Sequence, residues 1–351
     1  MSTIGQTKQP NLRRSQAGMV SIMVTMILMI VISLIVVGFA QISRRNQRQQ
    51  LDRQLSTQAF YAAEAGVNDV AELIRTATVT VPAKPDCTST SSFYSSLNAT
   101  LDAPHDVTYS CLTVDPTPTT LRYNGVGTNS IVVPIISANG TGINSITLNW
   151  QTTKNTATPT AGCPSGTANV FTPNTGANWP CGYGVLRIDL VPVSGALTQA
   201  GMQGADMASF LVPQASGGSS TMSYSPGNNK LVGVSCTNSG CAMNINSGLG
   251  GPSYYMRISS LYNGANLQIG TGNNVALRDA QAIVDSTGKA QDVLRRIQVR
   301  LPLGSNTQNA LSDYAIQSTD SVCKRFAVTG GGYFDSQAGG ASSSPLNPLC
   351  N

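Results

Sequence analysis

Residues 13–48 read RRSQAGMVSIMVTMILMIVISLIVVGFAQISRRNQR. The stretch opens basic, turns apolar at Met19, carries no charge through Ala40 and becomes basic again at Arg44. The uncharged run over 19–40 spans about 33 Å as a helix, enough to cross the hydrocarbon core of a bilayer. A secretory signal peptide has a shorter apolar core, then small residues at a cleavage site, then the mature domain. Here the helical pattern goes on, as QISRRNQRQQLDRQLSTQAFYAAEAGVNDVAELIRTA (41–77), with no proline before Pro82. Leu51, Leu55, Ala59, Ala62, Gly66, Val70, Leu73 and Ala77 recur at spacings of three and four, the stripe of an amphipathic helix. Strong helix formers lie between them. The spacing predicts one helix over 19–77, about 90 Å long, with a transmembrane segment at 19–40 and a single apolar face beyond it. Gly38 falls at the junction. A glycine there costs about 1 kcal/mol relative to alanine, so bending or local melting is expected at that point.

The remainder has a different character. Only 11% of the 351 residues are charged, against roughly 25% in ordinary soluble domains, and Ser, Thr, Asn, Gln and Gly fill the difference. After TATVTVPAKPDC (76–87) the helical period stops, and short β-branched runs alternate with Gly, Pro, Asn and Ser clusters. SIVVPIIS (130–137), SITLNW (145–150) and GVLRIDLVPV (184–193) are expected strands, with SFLVP (209–213) and KLVGVSC (230–236) as weaker cases. Residues 274–303 are expected to form a hairpin that turns at DSTGK (285–289). In its second arm Val293, Ile297, Val299 and Leu301 share one face, and Arg296, Gln298 and Arg300 the other. The fold class is α+β: a long N-terminal helix followed by a large, disulfide-stapled, mostly antiparallel β domain over 80–351. That domain is either one sheet-based unit with insertions or two β subdomains. GANWPCGYG (176–184) and QASGGSSTMSYSPGNN (214–229) are candidate loop or boundary segments.

All eight cysteines, Cys87, Cys111, Cys163, Cys181, Cys236, Cys241, Cys323 and Cys350, follow the apolar run. An even number confined to the polar part points to disulfides in an oxidising, extracytoplasmic space. Eight thiols allow 105 pairings and sequence does not choose among them; sequential neighbours are favoured because short loops close most easily. A Cys323–Cys350 bridge would close a loop of about 28 residues and contribute about 3–4 kcal/mol. There is no CxxC pair and His105 is the only histidine, so no metal centre is expected, and no cofactor.

Most of the net charge of +5 comes from Lys8, Arg13 and Arg14 before the apolar run and Arg44, Arg45, Arg48 and Arg53 after it. Such flanks mark a membrane-inserted segment, and their balance leaves the positive-inside rule undecided. Membrane lipid is an expected partner. Nucleic acid is not, because no basic face interleaved with aromatics appears. His105, in DAPHDV (102–107), suits a solvated loop, and no GxSxG occurs. TGGGYF (329–334) and SGGSS (216–220) precede no lysine-threonine helix start, so neither is a phosphate loop. Asp279 and Asp285 are expected to point apart in the hairpin. The chain does not read as an enzyme.

A short basic leader ending in Gly18, an apolar run from Met19 and an amphipathic continuation together resemble a type IV pilin precursor. AFYAAEAGVNDV (59–70) resembles the N-terminal region of PilX-type minor pilins and pseudopilins, the likeness covering about residues 13–75. The resemblance implies that 1–18 is a leader cut by prepilin peptidase after Gly18, leaving Met19 as an N-methylated terminus. It implies other pilin subunits and the pilus assembly machinery as partners. It also implies a bacterial cytoplasmic-membrane location with the β domain outside, and then the pilus at the cell surface. Main-filament pilins usually carry glutamate as the fifth mature residue, assigned in the family to neutralising the terminal amine of an adjacent subunit. Here that residue is Met23, which implies either a minor or tip-located subunit or a chain that is not cleaved and assembled at all. Glu64 lies where the likeness is strongest, although a helical glutamate there also suits a face turned to solvent or a neighbouring helix. Pilins often staple a C-terminal loop as a Cys323–Cys350 bridge would. That loop and the segment near Trp179 are where a surface ligand, itself unspecified, would be sought; both are equally suited to be plain connectors. The alternative is a non-polymerising, single-pass membrane-anchored surface adhesin or glycan-binding protein on a helical stalk.

Overall fold

The computed structural model describes residues 17–77, 80–165, 179–193, 204–227, 230–303, 324–329 and 333–338. One helix, α1 (Ala17–Thr76), takes in 60 residues, about 90 Å of rod. It passes through Gly38 without a break, since the cost of one glycine is small against the helix formers around it. It stops where the sequence turns β-branched. There the Thr76 hydroxyl bonds back to the Glu72 carbonyl at 2.9 Å, and Arg75 pairs with Glu72 in the last turn, where a cation suits the helix dipole.

After a 3₁₀ turn at Ser92–Tyr94 the described chain is built of strands. They are β1 (Thr100–Asp102), β2 (Val107–Asp115), β3 (Thr120–Val126), β4 (Ile131–Ser137), β5 (Ile146–Thr152) and β6 (Val185–Pro192). Next come β7 (Met207–Gln214), β8 (Thr221–Ser223), β9 (Lys230–Thr237), β10 (Gly240–Ser247), β11 (Ser253–Leu261) and β12 (Ala265–Thr271). The last are β13 (Leu277–Arg278), β14 (Gln281–Ala290), β15 (Val293–Pro302), β16 (Lys324–Thr329) and β17 (Tyr333–Ala338). Each of the five β-branched runs singled out in the sequence lies inside a strand or extends beyond it by no more than one residue at either end: β4, β5, β6, β7 and β9.

These strands form two sheets with separate cores. A four-stranded antiparallel sheet, in the order β1-β2-β14-β15, carries the second half of α1. The other thirteen strands make one array whose main path runs β13-β4-β11-β6-β7-β9-β10-β5-β12-β3. β9 lies parallel to β7, then turns into β10 through the Cys236–Cys241 pair, which divides the array into two halves. Leu148, Trp150, Ile245 and Ile269 from one half share a single buried cluster with Ile135, Leu186, Ile188 and Met256 from the other. This part is a sandwich.

Chain order shows how the units relate. α1, β1 and β2 precede residue 116, β14 and β15 follow residue 280, and the segment between them supplies β3–β13 of the sandwich, to which the later β16–β17 hairpin adds where Tyr333 pairs with Lys230. The ends of that insert meet, with the Leu277 N–H donating to the Pro118 carbonyl at 3.1 Å. At the seam the Gln281 side chain occupies the free edge of β3, accepting from the Arg122 N–H at 3.0 Å and donating to its carbonyl at 2.6 Å. Arg300 donates to the neighbouring Thr120 carbonyl at 2.7 Å. Residues 179–184 and the described part of 214–229 lie inside the inserted segment rather than at its ends, and the second contains β8.

The hairpin turn also differs from expectation. DSTGK lies inside β14, which stays paired with β15 from Gln281 opposite Pro302 to Ala290 opposite Val293. The turn is Gln291–Asp292, with Gln291 at φ 55°. Gly288, which suggested a turn, serves a close approach described below.

Three sequential cysteine pairs are joined: Cys87–Cys111, Cys163–Cys181 and Cys236–Cys241, with Cα separations of 4.8, 4.2 and 4.1 Å. Cys323 and Cys350 lie outside the described residues.

Candidate functional site

The long helix is the candidate site, and its two halves have opposite surroundings. From Val20 to Gln54 the rest of the described chain leaves it bare, with Gly38 alone half-buried. Large apolar side chains between Val20 and Phe39 are exposed from 48% at Val31 to 71% at Met29. Apolar surface costs about 25 cal/mol per Å² in water, so this half requires lipid or protein around it. By length and composition it can cross a membrane. Thr25 and Ser33 return their hydroxyls to the carbonyls of Ile22 and Met29 at 2.9 and 2.7 Å, so neither brings an unpaired donor into an apolar surrounding. Arg44, Arg45, Arg48 and Arg53 follow, all exposed.

From Leu55 onward the helix is seated. Ala59, Ala62, Ala63 and Val70 are fully buried and Val67 nearly so, whereas Leu51, placed on the same stripe by its spacing, is 58% exposed. The buried side chains are small because β14 comes close. A Cβ on Gly288 would overlap the Ala59 carbonyl and the Ala63 nitrogen, and one on Gly66 would sit 2.5 Å from the Ser286 hydroxyl. The pattern AFYAAEAG is thus a packing requirement in this chain: Ala59, Ala62, Ala63 and Gly66 face the sheet, Ala65 is half-buried at the flank, and Phe60, Tyr61 and Glu64 face away. Polar ties flank the contact. The Tyr109 hydroxyl donates to Asp69 at 3.1 Å and Arg295 donates to Ser56 at 2.8 Å. Burial, then the Asp69 carboxylate, pushes the Tyr109 phenol well above its ordinary value. Gly288 escaped the sequence reading because a glycine between polar residues resembles a turn; the strand-like residues around it were the available signal.

Past the helix a short loop is stapled to the sheet. Lys84, 9% exposed, donates to the carbonyls of Asp86, Cys87 and Ser89 at 3.1, 3.3 and 2.5 Å, and the Cys87–Cys111 bridge fixes the loop to β2. Hydrogen bonds from the Ser89 and Thr88 side chains, with help from both backbone N–H groups, hold the Asp86 carboxyl down to about 2, against 3.8 for a free one. A folded value below the unfolded one stabilises the loop above about pH 4, and that contribution fades as pH falls towards 2. An NMR titration of the Ser89 amide should therefore show its transition near pH 2. A midpoint near pH 4 would mean that these donors do not hold the carboxylate.

The other sequence candidates stay apart. Gly18 and Met19 are helical residues of α1, Met23 is 67% exposed on the bare half, and a Cβ on Gly38 would meet nothing within 4 Å beyond the helix's own backbone among the described residues. His105 is exposed with Nδ1 2.8 Å from Asp102. Asp285 pairs with Arg296 at 2.6 Å and Asp279 with Arg278 at 2.8 Å, so the two carboxylates serve different partners. Trp179 stacks on Tyr262 with ring centroids 4.9 Å apart and donates to the Tyr183 carbonyl at 2.7 Å, which makes that segment a fastened connector.

No family model, curated protein or solved structure matches the chain. The geometry carries the reading by itself. One N-terminal helix can span a membrane, and the β region that follows is cross-linked by disulfides, chemistry that belongs to an extracytoplasmic compartment.

Proposed function

We propose that the chain is a minor or tip-located subunit of a type IV pilus or related filament, processed after Gly18 and assembled through its apolar helix half. The observation that supports this reading is the continuity of α1. The same unbroken helix that is bare and apolar over Val20–Phe39 becomes, from Leu55, the element on which a sheet is built. A rod of that kind can exchange lipid for the helices of sister subunits without altering its folded half. The residues between Ala40 and Gln54 set the β region off from the membrane by about 20 Å. Met23, an apolar residue at the fifth position after the proposed cut, leaves no carboxylate to meet a neighbour's terminal amine, which suits a subunit with no other above it.

Mass spectrometry of the N-terminus, taken separately from membranes and from sheared surface filaments, tests the proposal. A chain beginning at methylated Met19 in the filament fraction is the expected result. An intact leader confined to membranes would overturn it and leave a membrane-anchored surface protein.

A further inference from the structure

The outward face of β3, β12, β5 and β10 carries a trough of about 600 Å³. Strand register builds its floor. Arg122 on β3 lies opposite Gln268 on β12, Gln268 opposite Asn149 on β5, and Asn149 opposite Ala242 on β10. Three long hydrogen-bonding side chains thus stand in a row, about 4.8 Å apart. The methyl of Ala242 leaves the space beyond them open. The far wall is the β9–β10 turn, which Gln151 holds by donating to the Ser239 carbonyl at 3.0 Å and which the Cys236–Cys241 bridge closes. Asn266 is engaged internally, accepting from the Gly125 N–H at 2.9 Å. The side chains of Arg122, Asn149 and Gln268 make no hydrogen bond or ion pair among the described residues.

The lining narrows the ligand. It contains no carboxylate, and Trp150, its one aromatic residue, is 1% exposed and belongs to the core. Cations and acyl chains therefore find nothing to hold them. A peptide adding as a further strand needs a free sheet edge, but Gln281 and Arg300 already occupy β3 there. Amides both donate and accept, as sugar hydroxyls do, and the guanidinium at one end of the row suits a carboxylate. We propose that the trough binds a glycan laid across the strands, with an acidic sugar placed over Arg122. The proposal rests on the sandwich and not on the helix, so a chain that kept its leader would bind alike, and the two readings fail separately.

The test uses the full chain in detergent on an array of defined oligosaccharides, neutral and uronic-acid-containing. Binding to uronate-containing oligosaccharides is expected. It should fall at least about tenfold in Asn149→Ala/Gln268→Ala, the scale of losing the hydrogen bonds of two amides, with thermal unfolding unchanged because both side chains lie on the outward face. Arg122→Gln should weaken the uronate-containing set and spare any neutral glycan. An array without binding, or binding that survives the double substitution, overturns the proposal. Neutral glycans bound equally by Arg122→Gln and the parent, with no uronate preference, overturn the assignment of Arg122.

Discussion

Gly288→Ala is expected to destabilise the protein by about 3 kcal/mol or more, near the upper end for overpacking. The sign is informative. Alanine is better suited than glycine to a strand by about 0.5–1 kcal/mol, so local preference alone would make the substitution stabilising. The obstacle is backbone. The added methyl would overlap the Ala59 carbonyl and the Ala63 nitrogen, neither of which can move without shifting the helix. Gly66→Ala should cost less, because the nearest atoms, the Ser286 hydroxyl at 2.5 Å and the Tyr109 ring at 3.0 Å, belong to side chains that can turn away. Gly127→Ala, with nothing within 4 Å, is the control and should stay within about 0.5 kcal/mol of the parent. Urea unfolding of the detergent-solubilised chain, followed by circular dichroism, ranks the three. A Gly288→Ala protein as stable as the parent would mean that α1 does not rest on β14 at this spacing.

Cut out as a separate polypeptide, residues 118–277 should fold. Both ends lie at one point, where Leu277 bonds Pro118, and two of the three described disulfides are internal to the piece. Its core cluster is separate from those beneath the helix. The chain carries its own reporter: both of its tryptophans, Trp150 and Trp179, lie in this segment. Tryptophan emission in the full chain should therefore follow the sandwich alone and coincide with the unfolding curve of the excised piece, while far-ultraviolet dichroism also records the helix. A piece that gives a broad, non-cooperative transition, with tryptophans open to quenchers, would show that the sandwich needs the helix-bearing sheet in order to form.

The sequence announces its local periods clearly. The change from uniform apolarity to a three-and-four stripe marks both halves of α1, and β-branched runs mark β4, β5, β6, β7 and β9. The three described cysteine pairs follow the short loops. What stayed hidden depends on residues far apart in the chain. Nothing local to Asp115 or Gln281 reveals that the strands they bound lie side by side with a whole sandwich inserted between them. Gln281 resembles any polar strand residue until its amide is found on the edge of β3. Gly288 carries the same letter whether it turns a chain or admits a helix. The amide row of the trough exists only through the register of β3, β12 and β5, which no single strand encodes.

The insertion also sets an order of events in time. The sandwich strands β3–β13 have all been made once the chain reaches about residue 278, but the sheet beneath the helix waits for β14 and β15, which come after them. During synthesis and export the Ala59–Val70 stripe is the first buried surface to emerge and the last to be covered. Two of the three strands that close over it, β14 and β15, are made only after β3–β13, β2 being the third. A chain cut short before Gln281 would present the strands β3–β13 on a helix with an open flank, a form that quality-control proteases could single out.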